Sequence, residues 1–326
     1  MNKRERVYAA LDGRSVDRVP FTMWRHFYYQ AQTANGLAQS TLDFYRRYNL
    51  DLIVLAPGLY YMAEGWGVDV RSFSTDDMAP YIVSPRVARV SDWRHLPALE
   101  VTSSSLVREV EAVGQIRSQL GEEDAPLIVP LYSPLTTADL LCNGRIVQDV
   151  QTFSNDLRAA LGMIADATSQ FALACLDAGA DGYMFITRLA SQDKMRKRAY
   201  RDFGEQYDLQ VLDRLRGAEI RILHLGIERP YFELASRYPV GVVCWETWRA
   251  DPSLSVASNQ FRGALMGGLN PMTFSSGSVD DIQQQIADAV EQTEGWRFVL
   301  APSGPLPADS REEMLAAVHQ TVVESQ

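Results

Sequence analysis

Eight short apolar runs rich in β-branched and aromatic residues recur along this 326-residue chain, and most are followed by a stretch of helical periodicity. The runs are Val19–Trp24, Asp51–Ala56, Leu127–Tyr132, Gly182–Thr187, Ile220–Leu225, Gly241–Trp245, Gly263–Gly267 and Arg297–Ala301. Helical spacing follows at about 40–48, 104–120, 154–178, 194–216, 229–237, 252–261, 278–293 and 309–323. Such alternation lays strands side by side in parallel with helices outside them. Eight units are what a closed (β/α)8 TIM barrel requires, whereas doubly wound sheets use five or six. The expected class is therefore α/β, a (β/α)8 barrel. Ser278-Val279-Asp280-Asp281 and Ser310-Arg311-Glu312-Glu313 read as helix starts, a hydroxyl and carboxylates meeting free N–H groups. Gly179, Gly217 and Gly295 read as stops. Only residues 57–93 break the rhythm: Val68–Phe73 and Ala79–Val83 look like two extra strands, a hairpin inserted after the second barrel strand. No linker or repeat divides the chain, so residues 1–326 are expected to form one domain.

The formal net charge of -10 argues against a nucleic-acid binder, which needs a basic footprint. The start is charged and no apolar run approaches the roughly 18 residues of a membrane span, so no membrane association is expected and the location reads as cytoplasmic. Three scattered cysteines, Cys142, Cys175 and Cys244, form no disulfide framework and fit a reducing compartment.

Asp17-Arg18-Val19-Pro20 followed by Met23-Trp24-Arg25 resembles the start of uroporphyrinogen decarboxylases, in which a D-R-x-P strand runs into an M-R-Q-x-G-R loop. Gly65-Trp66-Gly67-Val68-Asp69-Val70 is similar to that family's L-G-M-x-V segment, Ser133-Pro134-Leu135-Thr136 to its G-A-P-x-T turn, and Gly268-Leu269-Asn270-Pro271 to its G-N-L-D-P loop. Ala301-Pro302-Ser303-Gly304 stands at its last strand-end loop. The likeness runs in order along nearly the whole chain. It implies a superfamily barrel, often homodimeric, with its site at the C-terminal strand ends.

Two chemistries are known in that superfamily, and this chain departs from both. Uroporphyrinogen decarboxylation uses arginines to hold ring carboxylates and an aspartate facing the pyrrole N–H groups. Arg25 matches the first arginine, but the second falls at Tyr29 or Gln30, the aspartate at about Gly58, a tyrosine at about Leu140 and a histidine at Ser303. The methyltransferases that serve corrinoid proteins use zinc held by a His-x-Cys pair and a second cysteine. Ile222-Leu223-His224-Leu225-Gly226 keeps the histidine but has glycine for one cysteine, and Ser303 or Gly304 replaces the other. A rearranged zinc site of His224, Cys244 and Glu246 can be drawn across neighbouring strands, with one position open.

The catalytic candidates are thus His224, Cys244 and Glu246. The substrate-binding candidates are Arg25, His26, Tyr29, Tyr60, Arg188 and Ser303. Each has a plainer reading: His224 as a hydrogen-bonded structural residue, Cys244 as a small buried hydrophobe, Arg25 as an ion-pair partner of the hairpin, and the tyrosines as packing. Three functions stay open. They are corrinoid-linked methyl transfer or demethylation of a small substrate with a corrinoid partner protein, decarboxylation of uroporphyrinogen or a related acid, and non-catalytic binding of a tetrapyrrole or a protein.

Overall fold

The computed structural model describes residues 1–324 except 104, 122, 153 and 227. It contains nine strands: β1 (Ile53–Val54), β2 (Asp69–Arg71), β3 (Tyr81–Ser84), β4 (Leu127–Tyr132), β5 (Gly182–Thr187), β6 (Ile220–Leu225), β7 (Val242–Cys244), β8 (Ala264–Leu269) and β9 (Phe298–Pro302). Seven make one parallel sheet in the order β1-β4-β5-β6-β7-β8-β9, while β2 and β3 pair antiparallel with each other. Three strands have the bounds expected from the sequence, and the others differ by one to a few residues at their ends.

The first apolar run forms no regular strand, yet it touches both edges of the sheet. Thr22 N donates to Leu300 O (3.0 Å), Leu300 N donates to Pro20 O (2.9 Å), and Asp51 N donates to Phe21 O (3.0 Å). Thr22 Oγ1 also donates to Leu52 O at 2.6 Å. The sheet is therefore curled, TIM-barrel-like, with Pro20–Thr22 between β9 and β1. Pro20 has no N–H to give, which keeps this contact to a bridge.

Helices cover the outside. The N-terminal helix Lys3–Asp12, unread in the sequence, opens with a capping box between Asn2 and Glu5. Pro134–Leu141 and Ile146–Val150 were also unread; the first begins with Ser133 accepting from Thr136 N and proline in the first turn. Ser278 caps Val279–Thr293 as expected. Ser310 instead donates to Pro307 O, and the last helix runs Glu312–Glu324. Asn155–Asp177 is long and apolar enough to cross a membrane, a property the run-length reading missed. Its Leu157, Leu161, Ile164 and Phe171 are buried in the core.

Alternate residues of the parallel strands go to different layers, because successive side chains of a strand point to opposite faces. Ile128, Met184, Ile220, Ile222, Val242, Cys244, Met266 and Val299 share an inner cluster with Trp24, Leu52 and Val54. Leu127, Val129, Phe185, Leu223, Val243, Leu265 and Leu300 belong to the layer beneath the helices.

Ion pairs tie the N-terminal strand ends. Asp51 is fully buried and takes Arg6 Nη1 at 2.7 Å and Arg18 Nη2 at 2.9 Å, while Phe21 N donates to its other oxygen at 3.0 Å. Asp181, just before β5, holds Arg4 (2.6 Å) and Leu127 N (2.7 Å). Removing the carboxylate in Asp51→Ala leaves the Arg18 guanidinium buried without its anion and Arg6 with Asp17 alone, a loss of about 3–5 kcal/mol. A clear fall in the urea midpoint is the expected result, and an unchanged midpoint would contradict the network.

Candidate functional site

A cavity of about 330 Å3 opens at the C-terminal ends of the strands, at the small end of the usual range for small-molecule sites. Its wall continues the inner cluster upward. Trp24, Val54, Met184 and Ile186 form the apolar floor; His224 stands level with Ile186, and His26, Tyr132, Arg188, Glu246 and Ser303 line the wall on the same faces. His224 follows Ile222 by two residues and Glu246 follows Cys244 by two, so the two-residue repeat alone aims them inward.

His224 is held by backbone. Its Nε2 lies 2.8 Å from Ser303 O, which is an acceptor only, so Nε2 carries the proton. Burial lowers the proton affinity of the ring and keeps it neutral, although the Ser303 contact opposes this. Nδ1 is then a bare lone pair, buried and without a hydrogen-bond partner among the described residues. Ser303 is itself fully engaged: its Oγ accepts from Trp248 Nε1 at 3.1 Å and its N donates to Leu269 O.

His26, two residues past the first run, faces the cavity with Nδ1 2.8 Å from Pro57 O and its ring stacked on Tyr28 at 5.6 Å. Burial brings its pKa down to about 4. Tyr60 and Tyr132 line the same wall, and burial raises the Tyr132 pKa. Glu246 is ion-paired with Arg249, which also reaches Glu228 at 3.2 Å; burial pushes the Glu246 pKa up and Arg249 draws it back. Arg188 is exposed at the rim, and among the described residues no carboxylate lies within ion-pair distance of it. Thus His26, Tyr60, Arg188, His224, Glu246 and Ser303 share one hollow.

Three candidates are elsewhere. Arg25 follows Trp24, which faces inward, and so turns away: it stacks over Phe27 (5.4 Å) beside helix Ala34–Arg47 and does not line the cavity. Tyr29 is 52% exposed, its N taken by Asp76. Cys244 is fully buried in the inner cluster and does not line the cavity, and burial drives its thiol pKa up, away from the thiolate that zinc would need. Among the described residues no group of three His, Cys, Asp or Glu side chains is placed to hold a metal. At Gly226, where the resemblance puts a cysteine, a Cβ would stand 3.0 Å from Arg188 O and 3.1 Å from Thr187 O. The donor set does not fit a zinc thiolate centre. The sequence reading also missed Trp24 and Tyr132, since an aromatic residue in an apolar run looks like core. The available signal was position, Tyr132 being the last residue of β4.

Fold and cavity together define a TIM-barrel-like α/β protein with a polar cluster at the C-terminal strand ends. The chain belongs to the uroporphyrinogen decarboxylase (URO-D) family, whose pattern it matches over residues 2–325. It is 24% identical to a uroporphyrinogen decarboxylase of Rhodococcus opacus across 83% of this chain and 81% of the relative. It is also 24% identical to the methylcobamide:CoM methyltransferase MtaA of Methanosarcina barkeri, over 97% and 96%. A methyltransferase from Methanosarcina mazei superposes with a TM-score of 0.85 at 21% identity, covering 100% and 99%. The family thus includes decarboxylases and methyltransferases.

Two measurements test this geometry. Elemental analysis of the purified protein is expected to find zinc far below one per chain; stoichiometric zinc that disappears in Cys244→Ser would overturn the reading. The His26 ring, assigned through His26→Gln, is expected to stay neutral in NMR titrations until about pH 4. An unfolded histidine takes its proton near 6.5, so between those values the unfolded chain binds more protons and this residue's contribution to stability falls as pH drops. Titration of His26 near 6.5 would sink the prediction.

Proposed function

We propose that this chain is an enzyme that transfers a methyl group to or from a small substrate held in the cavity, the corrinoid being presented at the mouth by a partner protein. In this reading the curled sheet is a closed eight-stranded barrel whose first strand is the Pro20–Thr22 segment, with the β2–β3 pair as an insertion. The observation that carries the proposal is His224, whose tautomer is set by Ser303 O and whose Nδ1 is buried without a partner. A neutral imidazole in that state accepts a proton from a nucleophile that is to receive the methyl group, and the Ser303 carbonyl stabilises the cation formed. The corrinoid supplies or takes up the methyl group. The apolar floor of Trp24, Val54, Met184 and Ile186 excludes water from the reacting atoms.

Uroporphyrinogen is a poor fit. It carries about eight carboxylates, whereas among the described residues Arg188 is the one arginine or lysine on the cavity wall and the volume is about 330 Å3. Arg188 does favour a second reading, decarboxylation of a small acid.

Incubation with methylcobalamin and a panel of small thiols, with mass spectrometry of methyl thioethers, tests the first reading. Methylated product is expected, with a rate lowered about 100-fold or more in His224→Gln, the usual worth of a general base. Undiminished turnover in that variant would remove His224 from the chemistry. Carbon dioxide release from a small acid without methyl transfer would shift the assignment to decarboxylation.

A further inference from the structure

We infer that the cavity selects a small flat monoanion: an aryl carboxylate whose charge is held by Arg188 at the rim and whose ring lies on the aromatic wall, with its reacting end toward His224. This deepens the function proposed above and rests on the same cavity. The argument begins with charge. Of the residues lining the cavity, Arg188, Glu246, His26 and His224 can carry one. Both histidines are held neutral by burial. The Glu246 charge is answered by Arg249. Among the described residues, Arg188 is left as the one charge on the wall without an ion-pair partner. Its side chain makes no hydrogen bond among the described residues, while its backbone N donates to Thr136 Oγ1 at 3.2 Å and fixes the main chain there. In a chain of net charge -10, a lone guanidinium at the mouth of an apolar hollow attracts an anion. Its planar fork matches a carboxylate better than a point charge would.

Shape follows from the rest of the wall. Trp24, Tyr60 and Tyr132 put three aromatic side chains on the lining, beside Val54, Met184 and Ile186. This suits a flat apolar body, not a sugar or a polyanion. Register sets the length. Ile186 pairs with His224 across β5 and β6, and Arg188 follows Ile186 by two residues, a rise of roughly 6.6 Å toward the mouth. A ligand anchored at Arg188 thus reaches the His224 level with about one aromatic ring.

Calorimetric titration of the full chain with benzoate and with neutral benzamide, which has nearly the same shape, tests this. Benzoate is expected to bind at least about tenfold tighter than benzamide. Arg188→Gln is expected to remove that difference while leaving benzamide unchanged, and high salt to weaken benzoate alone. Arg188 has no side-chain partner, so an unchanged melting temperature checks that the variant folds. Equal binding of the two probes, no benzoate binding at millimolar concentration, or full benzoate affinity in Arg188→Gln would each overturn the inference. Binding is read without turnover, so a benzoate site lacking methyl transfer sinks only the proposed reaction. Methyl transfer to a neutral substrate with no benzoate preference sinks only the anion selectivity.

Discussion

The alternation of side chains along strands that are buried on both faces decides almost everything about this site. Each strand sends every second residue into the barrel-like interior. Deep in that interior the residues are Ile128, Ile222, Val242, Met266 and Val299, a packed apolar layer. Two to four residues further along the same faces the series changes to Arg188, His224, Glu246 and Ser303, and the packing opens into the cavity. Arg188, Glu246 and Ser303 follow the last residues of their strands, while His224 lies near the end of β6. The fold places the polar cluster where the main chain is leaving the sheet, so the interior below can stay fully apolar.

The same alternation explains what could and could not be read from the sequence. Apolar runs and helical spacing are local properties, and they locate β4, β5 and β6 to the residue. Facing is not legible in a run such as Val19–Trp24, because both faces are apolar and nothing contrasts them. A slip of one residue then exchanges the two faces. Hence Arg25, attractive as an anion ligand, turns toward helix Ala34–Arg47, while Trp24 and His26 take the cavity. Depth is equally hidden. Cys244 and Glu246 share a face, but Cys244 is packed into the buried inner cluster while Glu246 lines the cavity.

The motif that most directly suggests the family also acts far from the chemistry. Arg18 of the Asp17-Arg18-Val19-Pro20 segment is bound to buried Asp51 at the N-terminal strand ends, and Asp17 holds Arg6 at 2.7 Å. These contacts fasten the first helix and the first run to the segment leading into β1, beside the sheet edge that the run bridges. A likeness resting on such residues speaks for the architecture. The reaction has to be argued from the other end of the strands.

At that other end, the two positions where the resemblance would put zinc-binding thiols have acquired different jobs. Gly226 lets its backbone pass close to the Thr187 and Arg188 carbonyls, an approach that any Cβ would tighten to about 3 Å. The carbonyl of Ser303 orients His224 and its hydroxyl receives Trp248. Neither change disturbs His224, which retains its place on β6 and its neutral ring. With no cysteine at either of those two positions, its Nδ1 is a buried lone pair without a hydrogen-bond partner among the described residues, in an apolar hollow. Catalysis there would depend on desolvation and on the fixed direction of one lone pair, with the charge of Arg188 at the rim to position what that lone pair meets.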